Sequence, residues 1–140
     1  MKLFFNKLSN YEKREILDYK EIHFLGLEAQ KIAGCIILPH NNGYDNERSD
    51  YNIILRDHLA YRYEVLGIVG KGVFGQTLKC FDYKNNEYVA VKIIRNKKRF
   101  HQQAIIETKI LKYVKENDPD ERSNIVQIKK FFIFRNHYVI

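Results

Sequence analysis

Residues 70–75 read Gly70-Lys71-Gly72-Val73-Phe74-Gly75, the pattern G-x-G-x-x-G. Glycines at this spacing let a backbone turn approach a phosphate closely, but the pattern alone is shared by several folds and arises by chance. Its neighbours discriminate. A dinucleotide-binding fold needs a helix directly after the glycines, whereas Gln76 to Phe81 has the pattern of a strand. A Walker A loop needs a lysine before its Ser or Thr, and Gln76 stands there before Thr77. A glycine-rich hairpin of two strands over phosphates remains, and it requires a cation reaching in from a third strand. Val89-Ala90-Val91-Lys92 supplies one, a turn and a strand further on, with Ala90 small enough to leave room for a flat ring. A lone lysine near the end of a strand is ordinarily a solvated surface group; the glycine loop is what gives Lys92 a task. Its four-carbon stem aims poorly without a fixed acid beside it. Glu107 is the one acidic residue within the segment 99–115 and lies next to that segment's apolar stripe, so it is the candidate partner rather than a surface glutamate.

These residues need elements to hold them. Ile106, Ile110 and Val114 recur at four-residue spacing, with Leu111 widening the stripe and Lys109, Lys112 and Lys115 outside it, which predicts an amphipathic helix over about 99–115. Strands are predicted at 63–69, 76–83 and 88–94, a turn at 84–87, a helix stop at Asn117-Asp118-Pro119-Asp120, and two more strands at 125–134 and 137–140 joined at Arg135-Asn136. Upstream, Ser9 and Glu12 have capping-box spacing and predict a short helix through Ile16 and Leu17. The segment 19–33 fits a helical turn or an extended stretch equally well. The polar run 39–50, rich in Asn, Gly and Asp, reads as a loop. The expected fold class is α+β, a five-stranded antiparallel sheet with one main helix behind a partly helical extension. The expected organisation is an extension over 1–50, a linker over 51–62 and a compact unit over 63–140.

The 140 residues carry 24 Lys and Arg against 17 Asp and Glu, a formal charge of +7, with 45% hydrophobic and 14% aromatic residues. That is one domain, or one lobe with an extension, and it is too apolar for a disordered chain. Cys35 and Cys80 stand apart with no Cys/His cluster, so the sequence suggests neither a zinc site nor a disulfide framework, and a reducing compartment is expected. No segment has the pattern of a membrane span or signal core, which leads to the expectation of an intracellular protein, cytoplasmic or nuclear. Lys97, Lys98 and Arg99 resemble a nucleic-acid patch only superficially, since such runs are most often solvated connections. The chain stops at Val139-Ile140 inside an apolar run, which reads as a stop within a domain.

Taken together, GKGVFGQ (70–76), VAVKIIRN (89–96), KRFHQQA (98–104), ETKIL (107–111) and FRNH (134–137) resemble the N-lobe of the dual-specificity tyrosine-regulated protein kinases, the DYRK family. The stretches 10–31, 41–51 and 56–66 resemble the accessory region and DH-box linker of its class II members, so the resemblance covers nearly the whole chain. It implies a protein-kinase-like N-lobe, ATP and Mg²⁺ as cofactors, protein substrates phosphorylated on Ser or Thr, and tyrosine autophosphorylation during maturation, with which the upstream region is associated. By the same resemblance, Gly70, Gly72 and Gly75 cover the phosphates, Phe74 caps the loop tip, Lys71, Val73 and Thr77 belong to the same cofactor-binding set, Lys92 holds the α- and β-phosphates, and Glu107 orients Lys92. Ile68 and Ala90 line the adenine pocket. Thr77 stands where the family has valine, and Val73 replaces a small polar residue. No H-R-D-x-x-x-x-N or D-F-G occurs, so the base, the metal ligands and the activation loop lie outside these residues, in the C-lobe that would be this lobe's partner. The chain alone is therefore expected to be inert. The alternative reading is a truncated, pseudokinase-like binding module.

Overall fold

The computed structural model describes residues 4–117 and 130–140. Six antiparallel strands make one sheet in the order β1-β2-β3-β4-β6-β5. They are β1 His58–Leu59, β2 Tyr63–Lys71, β3 Gly75–Asp82, β4 Glu87–Ile94, β5 Phe132–Phe134 and β6 His137–Val139. The helices are α1 Asn10–Glu15, the single turn α2 Pro39–Asn42, and α3 Lys98–Asn117. The five strands expected from alternation are present, and α3 covers the predicted helix. The expected helix stop and residues 125–129 of the fourth predicted strand lie outside the described residues.

The additional strand, β1, arises inside the segment expected to be a linker. It pairs with the start of β2, His58 opposite Glu64 and Leu59 opposite Tyr63. The reversal runs through Ala60 and Tyr61, both at positive φ (51° and 55°), a conformation that costs a residue bearing a Cβ. Burial offsets it: Tyr61 is fully buried, stacks on His58 with ring centroids 3.9 Å apart, and donates its hydroxyl hydrogen to Glu15 at 2.8 Å.

Cross-strand partners point to the same face of a sheet. Leu78 opposite Val91 and Cys80 opposite Val89 place one set of side chains on a face covered by the extension, where Leu78, Cys80, Val91, Ile93 and Phe134 are buried with Tyr44 and Tyr51. Thr77 opposite Lys92 and Lys79 opposite Ala90 occupy the other face. Helix α3 docks at the end of β4, Phe100 and Ala104 packing on Ile94, with Tyr138 and Ile140 at the margin.

The extension is built onto the sheet. Both halves of the Ser9/Glu12 capping box form, at 2.9 and 3.2 Å. The segment 19–33 contains no helix; His23 and Phe24 donate backbone N–H groups to Tyr61 O. Residues 40–42 in the polar run adopt a left-handed turn, with φ of 55°, 58° and 60°. At the β5–β6 turn Arg135, its side chain 2% exposed, donates to Glu15 at 3.0 Å and to the Tyr51 hydroxyl at 2.8 Å, with its guanidinium 4.0 Å from the Tyr44 ring centre. Burial disfavours its charge, but Tyr51 and Glu15 more than compensate, and its pKa is raised.

Candidate functional site

Strands β2 and β3 form the glycine hairpin, closed by Gly72 N–H donating to Gly75 O at 2.9 Å. Gly75 is there because β4 is paired alongside it, Ile94 opposite: a Cβ would overlap the Ile93 carbonyl oxygen. Gly70 and Gly72 are different, since a Cβ on either would meet nothing within 4 Å. Their bareness leaves the hairpin's surface open to a ligand. Phe74 folds back edge-on to Phe100, centroids 5.5 Å apart, and its carbonyl accepts from Arg95 N–H at 2.7 Å. Val73 is exposed at the tip.

Register lines the site up across three strands, Gly70 opposite Thr77 and Thr77 opposite Lys92. Lys92 Nζ reaches Glu107 of α3 at 3.2 Å, and the two side chains are 32% and 36% exposed, so the pair forms at the edge of a cavity rather than in the core. That cavity, about 500 Å³, is lined by Thr77, Ala90, Lys92, Glu107, Leu111 and Ile140 among others. Leu111 follows Glu107 by one helical turn, which is why both face it. A lysine fixed by an acid near a glycine hairpin is suited to a polyphosphate, while Ala90 and the apolar lining are suited to a flat ring.

Of the expected site residues, Thr77, Ala90, Lys92 and Glu107 line that cavity, whereas Ile68 and the loop residues 70–75 do not. Ile68 pairs with Leu78, on the face that the extension covers, so register does not place it with Ala90. A register shift follows between Ile68 and Gly70, where Val69 is exposed. Lys71 and Gly72 line a separate groove with Arg48, Asp50 and Arg95. The basic run 97–99 is exposed around the start of α3, where Arg99 lies over the Phe100 ring.

A second polar cluster went unnoticed in the sequence. Glu12, Asp57 and His58 are buried with ligating atoms within 4.8 Å of one another, as metal ligands would be. Lys31 fills the cation's place, its ammonium 2.8 Å from both carboxylates. Burial alone would raise the Glu12 pKa, but hydrogen bonds from His58 and Lys31 hold it at about 2. Burial lowers the His58 pKa, against the pull of Glu12. Nδ1 of His58 accepts from Tyr61 N–H at 3.2 Å while Nε2 faces Glu12 at 2.8 Å, so the neutral ring is satisfied at both nitrogens. The cluster is a structural lock between the extension and β1.

The hairpin, the Lys92–Glu107 pair and the sheet-plus-helix frame define a protein kinase N-lobe, and the family model described as "Protein kinase domain" matches residues 63–140. The relatives narrow this further: the chain belongs to the dual-specificity tyrosine-phosphorylation-regulated branch of the protein kinase family. It is 55% identical over 140 residues to "Dual specificity tyrosine-phosphorylation-regulated kinase 4" of Homo sapiens, covering all of this chain and 27% of that protein. It is 49% identical over 140 residues to "Probable serine/threonine-protein kinase dyrk2" of Dictyostelium discoideum, covering all of this chain and 15% of the relative. Over 134 residues it is 48% identical to the mbk-2 kinase of Caenorhabditis elegans, 96% of this chain and 16% of the relative. The chain thus spans about a quarter or less of the length of these kinases.

Proposed function

We propose that this chain is the ATP-binding N-terminal portion of a dual-specificity kinase, which with a C-lobe transfers the γ-phosphate of ATP to Ser or Thr hydroxyls of protein substrates and phosphorylates a tyrosine of its own activation loop. The Lys92–Glu107 ion pair beneath a glycine hairpin carries this reading. Lys92 binds the α- and β-phosphates, Glu107 keeps its ammonium aimed, and the glycine hairpin of residues 70–75 covers the phosphates. Thr77 and Ala90 bound the adenine. Mg²⁺, when bound, neutralises charge on the phosphates. None of the residues assigned to the site is a metal ligand, and the catalytic base likewise belongs to the C-lobe. The chain by itself therefore binds nucleotide without transferring phosphate. An intracellular site, cytoplasmic or nuclear, accompanies the reading; among the described residues no helix is long and apolar enough to cross a membrane.

Titration of the chain with a fluorescent ATP analogue tests this. Binding is expected, with affinity falling at least about tenfold in Lys92→Met as one charge-assisted contact is lost, at unchanged melting temperature. A folded chain that shows no saturable binding overturns the assignment and leaves the binding-module reading.

A further inference from the structure

Lys92 and Glu107 sit on different elements, so the joint between β4 and α3, Arg95-Asn96-Lys97, sets whether they meet. The pair cannot hold the helix in place by itself, because ion pairs exposed to about a third of their surface are weak. The apolar seat of α3 is small, with Phe100 and Ala104 on Ile94. The joint is gripped instead by the segment 45–50 of the extension. Arg95 makes a two-pronged contact with Asp50, Nε to Oδ1 and a terminal nitrogen to Oδ2, each 3.0 Å. Asn96 donates its backbone N–H to Ser49 O at 2.8 Å and its side-chain amide to Asp45 Oδ2 at 3.1 Å. His137 of β6 bridges the Ile94 carbonyl, at 2.7 Å from Nδ1, and Asp45 Oδ1, at 2.5 Å from Nε2. Asp45 is in turn fixed by Asn41 Nδ2 at 3.2 Å and by its own N–H on His40 O. The same joint reaches the hairpin, since Arg95 N–H donates to Phe74 O.

We propose that Asp45 and Asp50 are positioning residues: the extension holds the β4–α3 joint in the geometry at which Glu107 meets Lys92. The extension and the nucleotide site are thereby coupled. The consequence for nucleotide affinity rests on the ATP-binding reading above; the consequence for the seating of α3 does not.

Hydrogen exchange, read by mass spectrometry on peptides covering α3 and β3, tests the seating in the full chain, its Asp50→Asn variant and its Arg95→Gln variant. Exchange in α3 is expected to rise about tenfold in both variants while β3 stays protected, the size of an ordinary coupling between sites. Equal α3 protection in all three proteins overturns the proposal, as does a uniform rise across both peptides. Should D50N fail to fold, R95Q removes the same contact from the other side. For the coupling, affinity for the fluorescent ATP analogue is expected to drop about tenfold in D50N, and to drop little further when D50N is added to Glu107→Gln, because both act through one ion pair. Additive losses would mean that Asp50 supports the fold without acting through Glu107, and would overturn the coupling. A wild-type chain that binds no analogue removes the ATP reading, and the exchange comparison alone then decides the seating.

Discussion

Replacing Arg135 with Met keeps the apolar stem and deletes the charge that fastens the extension to the β5–β6 turn. The side chain is 2% exposed and its partner Glu15 is 12% exposed, so the contact is made almost without water. Removal leaves the Glu15 carboxylate facing only the Tyr61 hydroxyl and strands the Tyr51 hydroxyl in the core. Breaking a buried pair in this way costs about 3–5 kcal/mol, mostly the penalty of the charge left behind. For a domain of this size such a loss lowers the melting temperature by about 10–15 °C. Urea denaturation of the wild type, Arg135→Met, Glu15→Gln and the double variant measures it. The double variant should be more stable than Arg135→Met, because it leaves no unpaired buried charge. Lys84→Met serves as the comparison, since the Lys84–Glu21 pair is 44% and 61% exposed and should contribute close to nothing. A cost below about 1 kcal/mol for Arg135→Met would refute the claim that this guanidinium ties the extension to the lobe.

Acidification should destabilise the fold in two stages. The folded chain resists protonating His58, whose pKa lies below the ordinary 6.5, so stability falls as the pH drops past that value. Glu12, held at about 2 against 4.5, contributes stability above pH 4.5 that is lost between 4.5 and 2, about 3 kcal/mol in all. A urea midpoint that holds steady from pH 7.5 to pH 4.5 contradicts the first stage, and one that holds steady from pH 4.5 to pH 2 contradicts the second. Gly75→Ala should cost about 2 kcal/mol through its overlap with the Ile93 carbonyl, whereas Gly72→Ala, which meets nothing, should leave the melting temperature nearly unchanged. Equal shifts for the two glycines would count against the close pairing of β4 alongside Gly75. Burial pushes the fully buried Cys80 thiol up to about 12, so a thiol reagent should label Cys35 promptly and Cys80 only as the chain opens; prompt labelling of both in native conditions counts against the packing.

The strands and α3 were legible because local period and burial agree in them, and Lys92 and Glu107 were legible because each sits at a fixed place in such an element. Ile68 was assigned by resemblance alone, and its place opposite Leu78, next to a register shift between Ile68 and Gly70, has no signal in composition. Strand β1 was missed because its turn uses Ala60 and Tyr61 where a two-residue hairpin normally shows Asn or Gly. The conformation is supported by Tyr61 burial and by Glu15, which lies far away in the chain. The capping box was legible only in part. Glu12 satisfies the Ser9 N–H as its spacing predicts, and its other oxygen accepts from Lys31 and His58, which no local pattern announces.

The distribution of charge explains why the extension and the lobe belong together. Residues 1–62 carry nine Lys and Arg and nine Asp and Glu, while residues 63–140 carry fifteen against eight, so the whole excess of +7 lies in the lobe. A like-charged lobe repels itself and gains from any acid brought to it. Carboxylates from upstream reach buried or half-buried groups of the lobe: Glu15 meets Arg135, Asp50 meets Arg95, and Asp45 meets the His137 ring. Each of these three contacts falls at the β5–β6 turn or the β4–α3 joint, the two places where the sheet's chain path bends away from the glycine hairpin. The extension therefore acts on the lobe where strand pairing cannot: neutral overall, it leaves the excess of +7 in place and places single carboxylates against the cations at those two positions.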